Sequence, residues 1–258
     1  MELVTTHLNA DFDGLASMVA ARKLYPGATL VFPGGAQETV RSFLSVHDLG
    51  LARLKELDLE KVTRLILVDT HEPERLGPLK DLCARPGVTV HVYDHHPDSG
   101  TQGEALPLRA ELRTIESVGA TATILIEQVC ARKITLTPFE ATVLAIGLYE
   151  ETGSLSYAST TPRDLDAAAA LLRAGADLNM VSDTLRCHLD PEQVALLNDL
   201  LKAGETYYLD GRKVLLAVSR GSRAERGDLH QTRRADSSAL VPDLPSPRHQ
   251  RANVAADV

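Results

Sequence analysis

The 258-residue chain is 44% hydrophobic and 24% charged, an ordinary globular balance with length enough for one large domain or two modest ones. A net charge of −8 argues against a broad basic surface that grips duplex nucleic acid through many phosphates. An anionic substrate therefore has to be drawn in locally, by metal ions or a few arginines. The cysteines, Cys83, Cys130 and Cys187, show neither a disulfide pattern nor paired ligand spacing and read as reduced thiols. Residues 1–7 carry no basic-then-apolar leader, and no run approaches the roughly 20 apolar residues of a bilayer span, so a cytoplasmic, non-membrane protein is expected.

Leu3 to Thr6 reads as a strand that delivers His7-Leu8-Asn9-Ala10-Asp11-Phe12-Asp13-Gly14 to its tip. His7, Asp11 and Asp13 can converge on one point there, although either acid could instead cap the helix suggested by Leu15, Met18, Val19 and Leu24. Pro26-Gly27 stops that helix. A strand at Thr29 to Phe32, a helix from Gln37 to Val46 and a buried apolar strand, Leu65 to Val68, follow, the last ending in Asp69. A helix over Glu74 to Ala84 leads to the strand Val88 to Tyr93 and to Asp94-His95-His96. Strand-helix alternation implies right-handed crossovers and a parallel sheet, which gathers all these acids and histidines along one edge. His91 reads as a packed core histidine, and His47, His71 and His188 have no comparable company.

Arg109 to Ile115 is an expected edge strand. Glu116 to Thr123 opens a helix whose small and hydroxyl residues either cap it or leave amides free for a phosphate. Further helices are expected from Pro138 to Tyr149, ending in Glu150-Glu151-Thr152-Gly153, from Thr161 to Arg173, and twice within Asp177 to Gly204, with Pro191 at a first helical position. Glu205 to Leu209 and Lys213 to Val218 form a hairpin around Asp210-Gly211. From Arg220 onward there is no aromatic residue and no lysine, and seven arginines against five acids leave the tail at +2, a composition expected to be disordered.

Taken together, His7-Leu-Asn-Ala-Asp11-Phe-Asp13-Gly, Asp69 after its apolar strand, Asp94-His95-His96 and Glu151-Thr152-Gly153 resemble, in order and spacing, the four motifs of the DHH phosphoesterase superfamily. That family includes RecJ-type exonucleases, nanoRNases, cyclic-dinucleotide phosphodiesterases and manganese pyrophosphatases. Gly119-Ala-Thr-Ala-Thr and Thr152-Gly-Ser-Leu-Ser-Tyr157 look most like the DHH domain at the front of longer proteins carrying CBS and tRNA nucleotidyltransferase domains.

The resemblance covers about residues 1 to 219 and implies an α/β fold, a Rossmann-like parallel sheet flanked by helices. It also implies a catalytic domain over 1–176, a helical linker over 177–204, a truncated start of the DHH-associated domain over 205–219 and a tail over 220–258. Two Mn²⁺ ions, or Mg²⁺ or Co²⁺ in their place, are implied, one held by His7, Asp11 and Asp69 and the other by Asp13, Asp69, His95 and Glu151. Asp69 would bridge, Asp94 would orient a ligand histidine, and His96 would face the phosphate as donor or leaving-group acid. Asn9, Gly119, Ala120 and Thr121 would bind substrate, a short oligonucleotide or small nucleotide, with pyrophosphate or polyphosphate as the alternative. The family more often has aspartate at position 151, so Glu150 could share that work. An arginine-rich stretch stands where a folded second domain is expected. It suggests a frameshift or premature end, a weakened or inactive remnant, and exposed apolar surface able to pair two copies.

Overall fold

The structure, a computed structural model, describes residues 1–97, 108–186, 191–209 and 212–218, which fall into two units, Met1–Cys187 and His188–Val258. The first unit is built on strands β1 (Glu2–Thr5), β2 (Thr29–Val31), β3 (Leu51–Ala52), β4 (Arg64–Val68), β5 (Thr89–Asp94) and β6 (Leu112–Ile115). They form one parallel sheet in the order β3-β2-β1-β4-β5-β6. The chain reverses its direction of winding between β1 and β4, so their C-terminal tips flank the crevice where open α/β sheets place ligands. After Arg64, β4 is apolar because both of its faces are covered: Ile66 and Val68 join one core, Leu65 and Leu67 the other.

Helices α1 (Phe12–Leu24), α2 (Glu38–Val46), α3 (Thr121–Ala131), α4 (Pro138–Glu151), α5 (Pro162–Arg173) and α6 (Leu178–Leu185) contribute to the first core. The second core packs Leu76, Leu79 and Leu82 against the opposite sheet face. α4 begins in a capping box, Thr137 with Glu140, and has Pro138 in its first turn; Thr161, Pro162 and Asp164 repeat the device at α5. Among the described residues no helix is long and apolar enough to cross a membrane.

Three expectations need correction, and one strand went unforeseen. Pro73–Ala84 is 3-10 rather than α-helical, because Gly77 at φ 49 and Pro78 break it in the middle. The two-residue strand β3 carries too short a signal to read in sequence, yet it closes one edge of the sheet. α4 runs through Glu151 instead of stopping at Tyr149, which puts that carboxylate at the helix's C-terminal end. The stretch expected as a linker is divided: α6 packs through the buried Val181 into the first unit's core, whereas α7 (Pro191–Ala203) lies in the second unit. In that unit β7 (Glu205–Leu209) pairs antiparallel with β8 (Arg212–Leu216), Leu209 opposite Arg212. Cys187, His188, Asp190, the Asp210-Gly211 turn, the stretch 98–107 and the tail expected to be disordered lie outside the described residues.

Candidate metal centre

The loop after β1 buries His7 and turns through Asn9 in the left-handed region at φ 57. His7 Nδ1 donates to the Leu8 carbonyl at 2.8 Å, which turns Nε2 toward the crevice. That nitrogen lies 3.6 Å from Asp11 and 3.3 Å from Asp69. Asp11 also caps α1, accepting from the Gly14 amide at 3.0 Å, so capping and a place beside His7 are both true of it. Asn9 lies exposed on the same loop.

β5 presents the second half. His95 Nδ1 donates to the Val118 carbonyl at 3.1 Å, again leaving Nε2 for the crevice. This buried Nε2 has no hydrogen-bond partner, although carboxylate oxygens of Asp13, Asp69 and Glu151 surround it at 3.9, 3.8 and 3.8 Å. Asp69 stands between the two histidines: one oxygen faces His7 and the other faces His95. Its backbone sits at φ 61, unusual for a non-glycine residue, and its amide continues the sheet by donating to the Tyr93 carbonyl at 2.9 Å. Ligand atoms of His7, Asp11 and Asp69 lie within 4.8 Å of one another, as do those of Asp69, His95 and His96. An orphaned buried imidazole nitrogen among carboxylates, mirrored by a second histidine across a shared aspartate, fits a pair of divalent cations. Hard oxygens with imidazole are the donor set such ions take.

Electrostatics point the same way. Burial first, then repulsion from Asp13 and Asp11, lifts the Glu151 carboxyl to about 8. Burial and Asp11 lift Glu150 to about 7. Asp13 and Asp69 are likewise raised, by burial and by neighbouring carboxylates. Burial alone would lower His7, but the Asp11 and Asp69 carboxylates beside it outweigh that and raise it to about 10. A cluster that must gather protons to relieve its own repulsion is one that divalent cations stabilise.

Several expected roles change in detail. The amides at the start of α3 do not face solvent: Thr121 and Ala122 donate to Asp13 at 2.7 and 2.9 Å, Gly119 donates to Asp164, and the Thr121 hydroxyl donates to Asp69 at 2.9 Å. The anions that this helix start binds are the protein's own: Thr121 and Ala122 hold Asp13, Thr121 also meets Asp69, and Gly119 is taken by Asp164, while Ala120 is the buried residue that caps the helix. Asp94 does not touch His95. Its two oxygens take His96 Nδ1 at 2.8 Å and His71 Nδ1 at 2.5 Å. His71 thus has company the sequence reading denied it, and its position two residues past a strand-tip acid was the available signal. Glu150 accepts from the Phe12 amide at 2.8 Å, securing α1, while Glu151 faces His95. His91 is half-buried, its Nδ1 bonded to the Tyr25 hydroxyl at 2.7 Å.

Residues 3–148 match the DHH family N-terminal domain. This chain belongs to the DHH family. It is 44% identical over 220 residues to an A-adding tRNA nucleotidyltransferase of Geobacter sulfurreducens, covering 84% of this chain and 24% of that protein. An A-adding tRNA nucleotidyltransferase of Aquifex aeolicus is 34% identical over 212 residues, covering 81% and 24%. The DHH chain therefore spans about a quarter of the length of these relatives. A bifunctional oligoribonuclease and PAP phosphatase of Mycoplasma genitalium is 33% identical over 120 residues, 46% of this chain and 36% of that protein. In fold, the DHH chain resembles an exopolyphosphatase-related protein from Bacteroides fragilis, with a TM-score of 0.65 at 13% identity over 80% of this chain and 62% of that one. A putative family II inorganic pyrophosphatase from Methanococcus jannaschii gives 0.54 at 20% identity, covering 84% and 71%.

Proposed function

We propose that this DHH chain is the catalytic part of a Mn²⁺-dependent phosphoesterase that hydrolyses phosphodiester or terminal phosphate bonds of short oligonucleotides or small nucleotides. The observation that carries the reading is the buried, unpartnered His95 Nε2 among Asp13, Asp69 and Glu151, set across Asp69 from His7 and Asp11. His7, Asp11 and Asp69 would hold one ion, and Asp13, Asp69, His95 and Glu151 the other. When bound, such a pair supplies Lewis acidity, which lowers the pKa of a water and offsets charge on a phosphoryl group.

The chain's own residues do the rest. His96, whose side chain is 43% exposed, reaches from the ligand edge into solvent with Nδ1 fixed on Asp94, so it is placed to donate a proton to a phosphate oxygen or a leaving group. Asp94, fully buried, holds His96 and His71 in a fixed arrangement. With a net charge of −8, the protein relies on this local chemistry to attract an anion.

The test is Mn²⁺-dependent release from a dinucleotide, 3′,5′-bisphosphoadenosine, a cyclic dinucleotide and pyrophosphate. Turnover of any of the first three supports the reading. Turnover of pyrophosphate alone favours the pyrophosphatase alternative. AMP transfer from ATP to tRNA without hydrolysis would assign the chain the activity named for its longer relatives, and Mn²⁺ binding without any turnover would mark an inactive remnant.

A further inference from the structure

The residue that holds the metal centre in shape is not among its ligands. Asp164 is fully buried at the start of α5 and accepts from four donors on two different segments. Two of them, the Thr161 amide and hydroxyl at 2.6 and 2.7 Å, belong to its own helix cap. The others lie across the interface: the Gly119 amide reaches both carboxylate oxygens, at 3.1 and 2.9 Å, and the Thr123 hydroxyl reaches one at 2.5 Å.

The segment gripped in this way, Val118 to Thr123, is the one that orients the ligands. Val118 offers the carbonyl that fixes the His95 ring, Thr121 and Ala122 offer the amides that hold Asp13, and the Thr121 hydroxyl meets Asp69. Next to Asp164, Arg163 reinforces the grip by pairing with Glu116 at 2.6 Å, just upstream of the segment, and with Glu127 on α3 at 2.8 Å. The fit is close. A Cβ added at Gly119 would sit 2.7 Å from the Asp164 carboxylate and 2.8 Å from Thr152.

We propose that Asp164 is a positioning residue for the metal centre, acting through Gly119 and Thr123 to set His95, Asp13 and Asp69 in register for a divalent cation. An ordinary helix cap needs only its own Thr161; a carboxylate that also clamps a glycine amide with both oxygens is tied to that second segment. Groups bonded directly to a ligand typically govern metal affinity by about 10–100-fold, and Asp164 acts one contact further out, which sets its expected effect at the lower end of that range. The inference rests on the two-metal reading above.

Calorimetric titration of Mn²⁺ into the chelator-treated full chain tests it, with circular dichroism to establish folding. Three variants are compared with wild type. Asp164→Asn keeps the shape but removes the charge and one acceptor. Gly119→Ala displaces the clamped segment from the other side. Thr161→Ala weakens the cap of α5 and leaves the Gly119 contact in place. The expected result is Mn²⁺ affinity lower by about 10-fold in folded Asp164→Asn and Gly119→Ala, and within about threefold of wild type in Thr161→Ala even where its thermal midpoint falls. Wild-type affinity in folded Asp164→Asn overturns the inference, and so does a loss in Thr161→Ala as large as in Asp164→Asn, which would show mere dependence on helix stability. If Asp164→Asn does not fold, Gly119→Ala decides on the same terms. Absence of Mn²⁺ binding in wild type would sink the phosphoesterase reading and this inference together, an outcome distinct from wild-type binding that Asp164→Asn leaves unchanged.

Discussion

Asp69 combines three costs in one residue: a left-handed backbone, complete burial and a carboxylate crowded by Asp13. Strain of the first kind costs on the order of 1–3 kcal/mol and is kept where the surroundings need the side chain in that place. Asp69→Asn keeps the shape and removes the repulsion. Its thermal midpoint in chelator should rise by about 3 °C, and the further rise that Mn²⁺ gives wild type should vanish. A midpoint below wild type in chelator would mean that Asp69 stabilises the fold by itself. His96→Ala is the contrasting substitution. Mn²⁺ stoichiometry should persist while turnover drops by about 100-fold or more, as for loss of a proton donor. Equal metal loss in the two variants would contradict the separate roles given to Asp69 and His96.

Between elements, α1 approaches α4 closely: a Cβ on Gly147 would meet Ala16 and the Phe12 carbonyl at 2.5 Å. Glycine to alanine inside a helix ordinarily gains about 1 kcal/mol, but here the methyl has no room, and overpacking of this kind costs about 1–3 kcal/mol. Gly147→Ala should therefore lower the midpoint in thermal unfolding. It should also weaken Mn²⁺ binding, since α1 carries Asp13 and α4 carries Glu151; a stabilised variant would refute the close contact. Asp164 gives a pH signature. Burial, the largest influence, raises its carboxyl, but Thr123, Thr161 and Gly119 outweigh it and hold it below the usual aspartate range. A depressed carboxylate contributes stability above its unfolded pKa and loses it as pH falls through the folded one. The midpoint gap between wild type and Asp164→Asn should accordingly be full near neutrality and narrow below about pH 4.

These same elements show what the sequence could convey. Apolar runs ending in Asp69 and Asp94 announce β4 and β5, because burial on both faces demands such runs. The motif residues His7, Asp13 and His95 could be placed on one edge from the parallel crossovers alone. Glu74 to Ala84 is helical as expected but of the 3-10 kind, and Gly77-Pro78 in the sequence is the signal for its break. Asp164 was invisible for a different reason: Thr-Pro-x-Asp is what any capped helix shows, and its grip on Gly119 exists only after residues 45 apart are folded together. His71 and its bond to Asp94 depend likewise on two strand tips becoming neighbours.

For the molecule as a whole, acids and histidines from β1, β4, β5 and α4 meet at one edge of the sheet, so cation binding should tie together parts of the chain far apart in sequence. Mn²⁺ at 100 times its dissociation constant should add about 2.7 kcal/mol to the first unit's stability, read as a midpoint shift that a chelator reverses. No shift would remove the metal centre from the description. The second unit leaves Val194, Leu197, Leu201, Leu215 and Leu216 exposed, in a chain that spans about a quarter of its tRNA nucleotidyltransferase relatives. Last, His7 and His95 each give Nδ1 to a backbone carbonyl, Leu8 and Val118. Swinging either ring aside breaks that bond. Ligand rearrangement at the site should therefore be slower than the picosecond-to-nanosecond rotation of free side chains, as relaxation measurements on the two rings would show.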